Sequence, residues 1–410
     1  VSAGSPSNST ARAFSHPDFR RYQAGRFAAL IGTQMQGVAV GWQVYALTGR
    51  PLDLGFVGLA QFLPAMLLWP LTGHTADRFE RRLLLVACHS LLALSAVALY
   101  VLARTPAPSV VAIYAVLTVV GVARAFAGPA GHALVPNLVP REDVPSAIGW
   151  GSSIFQLSLM IGPALGGLLH DVRGGASVFV TTAVLELSSI ALLLGIRTRS
   201  RGDAGDGVSF ASVGAGLAYV LRKRILLGAI SLDLFAVLLG GAIALLPIFA
   251  RDVLHAGPFG LGLLRSAPAV GAALTGLGLA LRPLGGRTGV TMFACVFLFG
   301  VATIVFGVSR HLVLSLFALA VAGAADMVSV YVRHSLVQLK TPDSMRGRVA
   351  AVNLLFIGAS NELGEFESGL TAEWLGTVPA VILGGVGTCV VVLVWAILFP
   401  ELRRVDRLDR

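Results

Sequence analysis

The chain has 410 residues, of which 55% are hydrophobic and 13% charged, with a mean hydropathy of +0.80 and a formal net charge of +10. A soluble protein carries about 25% charged residues, so this supply cannot cover a water-facing exterior. The basic residues are spread along the chain rather than gathered in one patch, which points away from nucleic acid and toward anionic lipid headgroups as the partner of the charge.

The apolar runs reach about 20 residues or more, the length at which a helix crosses a hydrocarbon core about 30 Å thick. Twelve spans are predicted, at 24–48, 53–76, 82–104, 109–135, 145–170, 176–196, 225–250, 259–281, 288–308, 312–337, 348–372 and 377–399. Residues 1–23 are polar and lack a cleavable apolar core, so the first span would serve as the insertion signal. With both termini cytoplasmic, the tails and even-numbered connections hold most of the Lys and Arg. Arg50, Arg104, Arg173, Arg251 and Arg310 then lie outside, and Arg124, Arg265 and Arg333 fall within spans. The 29 Arg to 2 Lys suit a GC-rich bacterial genome, so a multi-pass protein of a bacterial inner membrane is expected. Cys88, Cys295 and Cys389 all lie in spans, and His74, His89, His132 and His334 are scattered without metal-ligand spacing. Neither a disulfide framework nor a metal site is expected, and the histidines are expected to pack or sit at interfaces.

Residues 197–224 interrupt the apolar pattern with RTRSRGDAGDG and a closing RKR. This stretch reads as a cytoplasmic linker between an N-terminal six-helix bundle, 24–196, and a C-terminal one, 225–399, followed by a tail at 400–410. The halves also resemble each other. A shift of 204 places Gly58, Gln61 and Pro64 on Gly262, Arg265 and Pro268, and a shift of 203 places Ala147, Ile154 and Gly166 on Ala350, Ile357 and Gly369. The predicted fold class is therefore an all-α polytopic membrane protein of twelve transmembrane helices in two pseudo-symmetric six-helix bundles.

Three motifs carry a family resemblance. The loop after the second span, GHTADRFERR at 73–82, is similar to G-x-L-A-D-R-x-G-R-R, with Thr75 and Glu80 standing where that signature has Leu and its second Gly. Arg124 is followed by Gly128 and Gly131, like R-x-x-x-G-x-x-G, and the fifth span carries GPALGG at 162–167, similar to a motif associated with antiporters. On these residues the chain resembles the major facilitator superfamily. The strings DMVSVYVRHSLVQLKTPDSMRGRV, 326–349, and NELGEFESG, 361–369, look like the bacterial subgroup that includes the enterobactin exporter and macrolide-efflux proteins. The resemblance implies the major facilitator fold. It also implies that Gly73, Asp77 and Arg78 form a cytoplasmic latch, made in one conformational state, with the start of the eleventh span as partner. Gly162, Gly166 and Gly167 remove side chains and Pro163 withdraws a helical N–H, so GPALGG serves either close helix packing or an antiporter hinge.

A charge at mid-membrane costs at least about 2.5 to 3.5 kcal/mol, so a carboxylate there implies water or a partner. Glu362 lies about 21 Å along the helix past Arg348, with Glu365 one turn further. At about 100° per residue, Gly358, Glu362, Glu365 and Gly369 share an arc of about 60°, whereas Glu367 points away. That acidic, glycine-lined face is expected to look into a watery cavity; Glu367 and Glu373 are expected at headgroup level. Asp233 and Asp326 are two further carboxylates within spans. Burial favours the protonated carboxyl and a nearby Arg favours the anion, so Glu362, Glu365, Asp233 and Asp326 are candidates for proton coupling, with Arg124, Arg265 and Arg333 as buried basic partners. Static ion pairs between helices are the alternative. Gln34, Gln36, Gln61 and Gln156 with Phe62, Phe235 and Phe356 are candidates for a substrate cavity, a mixture suited to a bulky amphipathic ligand.

The expected function is secondary active export of an amphipathic small molecule, such as a drug, macrolide or siderophore, by alternating access in exchange for protons. An importer or uncoupled facilitator for a nutrient or lipid on the same fold is the alternative, with a non-transporting receptor or scaffold behind it. No Walker loop is present, no catalytic constellation stands out, and the proton gradient takes the place of a cofactor. A monomer is expected, with substrate, protons and lipid as its partners.

Overall fold

A computed structural model describes residues 12–199 and 210–406. The side chains of residues 69, 70, 73, 74, 76, 77 and 210–213 lie outside the described part. A 3-10 turn, Arg12–Ser15, leads into α1 (Pro17–Thr48), α2 (Pro51–Arg78), α3 (Arg81–Arg104), α4 (Val110–Leu134), α5 (Val144–Arg173) and α6 (Gly175–Leu194). After the interruption come α7 (Phe210–Arg222), α8 (Arg224–Gly240), a short turn α9 (Leu246–Ile248), α10 (Gly257–Leu281), α11 (Thr288–Val308), α12 (Leu312–Lys340), α13 (Asp343–Leu375), α14 (Thr377–Leu398) and the turn α15 (Pro400–Arg403). Among the described residues, twelve helices have 17 residues or more, and no strand occurs. Ten segments are long and apolar enough to cross a membrane; α1 and α13 have the length but carry more polar residues. Leu281, Val313 and Ile397 are 79%, 79% and 77% exposed, a cost in water that hydrocarbon removes.

The helix ends follow local chemistry. Ser109 caps α4 through its side chain, and Gly174 and Gly376 take positive φ (80° and 90°) between α5 and α6 and between α13 and α14. Two features differ from the predicted spans. The seventh is not one continuous helix: α8 stops at Gly240–Gly241, and the chain runs on through 3-10, α and π turns to Val253, with Pro247 unable to donate to a continuous ladder. The stretch read as a linker holds α7, whose Leu217 and Val220 pack with Leu226, Ile230, Val337 and Val349, because its apolar residues recur at helical spacing.

The chain divides into two compact units, 1–43 with 60–207, and 44–59 with 208–410. In the first, Phe19, Leu134, Ala147, Leu193 and Ile196 form one core. In the second, Leu232, Met292, Phe293, Val332, Leu336 and Val392 form another. Because hydrocarbon offers no hydrophobic drive between helices, close backbone approach contributes much of the association. A methyl on Gly271 of α10 would collide with the Ala320 carbonyl of α12, and one on Gly323 of α12 with the Pro268 carbonyl of α10. The first turns of α2 meet α13 in the same way: a β-carbon on Gly369 would stand 3.0 Å from Pro51 O and 3.1 Å from Gly55 Cα.

Candidate functional site

The acidic face of α13 meets the start of α2. A β-carbon on Gly58 would lie 2.7 Å from Glu365 Oε2 and 3.2 Å from Glu362 Oε2, so the missing side chain makes the space both carboxylates occupy. Both glutamates are half-buried, and both act electrostatically on the Arg265 guanidinium of α10. Phe56 stacks obliquely on Phe366 with ring centroids 5.6 Å apart. Gly358, Glu362, Glu365 and Gly369 do share a face, but at Gly369 that face is a tight helix contact, and it carries the partly exposed acids one to two turns earlier. Glu367 bonds Thr371 at 2.7 Å, and Glu373 pairs with Arg50 at 3.2 Å.

The second group of charges is buried. Asp233 (5% exposed) and Arg333 (2% exposed) are bonded ion-pair partners between α8 and α12. Asp326, two turns earlier on α12, and His334 interact electrostatically with both. The Nε atom of Arg333 and the nearby hydroxyl of Ser329 have no hydrogen-bond partner among the described residues. Such a pair is held by its surroundings, because removal of either member strands a charge in an apolar bundle.

The third group lies in the first unit, around a cavity of about 310 Å³ lined by α1, α3, α4, α5 and α6. Arg26, Gln34, His89, Arg124, His132 and Glu186 supply its polar wall. Glu186 is 1% exposed, and its Oε2 lies 2.7 Å from His89 Nδ1. Arg124, expected as a buried base, is instead exposed, and it donates to Gln61 Oε1 at 3.2 Å.

The remaining predicted residues are dispersed. Gln36 is buried in α1, and Gln156 and Phe62 are half-buried. Phe235 stacks on Trp395 at 5.2 Å, and Phe356 packs against the Val220, Leu226 and Ile230 core. In GPALGG, Gly162 faces the Gln34 side chain and Gly166 the Met35 backbone, where a β-carbon would stand 2.7 Å from Met35 Cα. Pro163 and Gly167 are buried beside them. This is close packing of α5 on α1. At the end of α2, Arg78 is exposed, and the surroundings of Gly73 and the side chain of Asp77 lie outside the described part.

Glu186 belongs to no motif, yet it carries the signal that singles out Glu362: an ionisable residue inside an apolar run; Arg26 stands where the first apolar run begins, shortly after Arg20 and Arg21, and gave no such signal. His89, expected to pack or sit at an interface, is the partner of Glu186 between α3 and α6.

Residues 8–410 match the family model described as transmembrane secretion effector. The chain is 24% identical over 400 residues to macrolide efflux protein A of Streptococcus pyogenes, spanning 94% of this chain and 96% of that protein. It is 25% identical over 393 residues to the enterobactin exporter of Citrobacter koseri, spanning 95% and 93%. Among solved structures, a POT family transporter superposes with a TM-score of 0.76 at 12% identity, covering 94% of this chain and 97% of that one, a likeness of fold. With twelve long helices, charges gathered inside them and this match along almost its whole length, the chain belongs to the transmembrane secretion effector family of the major facilitator superfamily.

Proposed function

We propose that the protein is a secondary active exporter that moves an amphipathic small molecule out of a bacterial cytoplasm, across the inner membrane, in exchange for protons, with both termini cytoplasmic. Macrolide efflux protein A and the enterobactin exporter, to which the chain is similar, are efflux proteins, which supports the direction. The observation that carries the coupling is the meeting of Glu362 and Glu365 with Arg265 beside Gly58. A carboxylate next to a guanidinium is held as the anion, and the same carboxylate moved away from it in apolar surroundings takes up a proton. Two half-buried acids sharing one Arg therefore form a group whose proton content follows small helix displacements. The buried Asp233–Arg333 pair, with Asp326 beside it, is the second place where the same exchange could be staged. Asp77 and Arg78 at the end of α2 would latch the cytoplasmic side.

Proteoliposomes with an imposed pH gradient, offered a panel of macrolides, siderophores and hydrophobic drugs, test this. At least one compound should be moved against its own gradient, and collapse of the proton gradient should stop it. The double variant Glu362→Gln, Glu365→Gln should lower the rate by about ten-fold or more, about 1.4 kcal/mol in the rate-limiting barrier. Movement of no compound in the panel, or movement unchanged in that variant and without a gradient, would overturn the reading.

A further inference from the structure

The cavity of the first unit holds two guanidinium groups and one carboxylate. That carboxylate, Glu186, is already engaged with His89, and among the described residues Arg26 and Arg124 form no ion pair; Arg124 has only the neutral Gln61 amide. The other titratable groups on the wall are Tyr22 and His132. Whether or not His89 carries a proton, the wall keeps an excess of positive charge. Arg26 is half-buried and Arg124 exposed, so both guanidinium groups reach the open space, and a charge at the depth of membrane helices is costly unless water or an opposite charge accompanies it. Arg is also the side chain best shaped to take an oxyanion through two parallel N–H bonds.

The rest of the wall is apolar, with Leu30, Leu92 and Phe155 among its residues. Gly128, also on the wall, has no heavy atom within 4 Å of where its β-carbon would stand, so the space there is open. A volume of about 310 Å³ accommodates one end of a drug-sized molecule.

We propose that this cavity binds the acidic end of the cargo, an anionic oxygen group such as a carboxylate or phenolate held between Arg26 and Arg124, with the adjoining apolar part against Leu30, Leu92 and Phe155. The assignment rests on the export reading and narrows it: the transported class is amphipathic anions, not amphipathic cations. Glu186, bonded to His89 on the same wall, reinforces the choice by repelling an anion from its own neighbourhood and leaving the two arginines as its seat.

The experiment uses the full chain in lipid nanodiscs and three matched probes, 1-naphthylacetate, its methyl ester and 1-naphthylethylamine, with binding measured by calorimetry and thermal shift. The acid should bind about ten-fold or more tightly than the ester or the amine. Arg26→Gln and Arg124→Gln should each bring the acid down to the level of the ester. Gly128→Leu, which alters no charge and fills the open space, should weaken acid and ester together. Equal binding of the three probes, preference for the amine, an acid preference that survives both arginine variants, or no binding of any probe would overturn the proposal. Transport separates it from the export reading. Gradient-driven efflux confined to cations, and indifferent to Arg26→Gln, would remove the anion site and keep the exporter. Arginine-dependent binding of acids with no compound moved by a gradient would keep the site and remove the exporter.

Discussion

The Oε2 atom of Glu365 lies 2.7 Å from the point where a β-carbon on Gly58 would stand, so the absence of one side chain on α2 sets the position of a carboxylate on α13. The atom in the way is the end of a flexible side chain, not backbone. Gly58→Ala should therefore displace the carboxylate without breaking the helix contact. Thermal unfolding in detergent should shift by less than the equivalent of about 1 kcal/mol. Gradient-driven efflux should fall several-fold, because the carboxylate no longer sits where Arg265 acts on it.

The ion pair between Asp233 and Arg333 is buried on both sides, and its removal from one side leaves an uncompensated charge. Asp233→Asn should destabilise the protein by about 3 to 5 kcal/mol. The double variant Asp233→Leu, Arg333→Met, of similar volume and without charge, should recover most of that loss. Thermal unfolding checks the stability, and vesicle assays of the double variant should show proton-driven efflux that remains impaired although the fold is restored.

Gly271 and Gly323 stand where α10 and α12 approach most closely, each facing a carbonyl of the other helix. A backbone carbonyl cannot swing aside as a side chain can. Gly271→Ala and Gly323→Ala should each cost about 2 kcal/mol or more. Gly278, on the same α10, has nothing within 4 Å, and Gly278→Ala should be neutral or stabilising by up to about 1 kcal/mol through helix propensity. Melting curves of the three variants in one detergent check the contrast.

Asp18 precedes the apolar part of α1 and accepts from the Arg197 and Thr198 amides at 3.0 Å each, from the Thr198 hydroxyl at 2.8 Å and from Arg21 at 2.9 Å. Burial alone would raise its pKa, but the Thr198 and Arg197 hydrogen bonds with Arg21 outweigh it and hold the carboxyl below its ordinary 3.8. The folded state therefore favours the anion more than the unfolded chain does. The stabilisation is fully present above that ordinary value and is lost as pH falls through the lowered one. Solvent screens the site, so the effect is small. The difference in melting temperature between the protein and Asp18→Asn should be positive at neutral pH and shrink as the pH falls below the ordinary 3.8.

Much of this molecule was legible from the order of its residues. The number and length of the spans follow from runs of apolar residues, and the acidic face of α13 follows from the spacing of Gly358, Glu362, Glu365 and Gly369. The break of the seventh span at Gly240–Gly241 was signalled by two adjacent glycines and Pro247, and helix α7 by apolar spacing within a stretch that its charged flanks made look like linker.

The pairing of charges was not legible. Helical periodicity assigns a residue to a face of its own helix, but it carries no record of which helix lies against that face or at what height. Arg265 feels the charge of Glu365 across 100 positions of sequence, Arg333 pairs with Asp233 across another 100, and Glu186 pairs with His89 across 97. Such neighbours are set by how two helix surfaces pack, as at Gly58, whose missing side chain makes room for Glu362 and Glu365. The sequence by itself therefore determined a membrane-spanning exporter-like chain with acids and bases at depth. The tertiary structure decided which of them form buried pairs, which share a half-open site, and which two arginines are left facing an empty space.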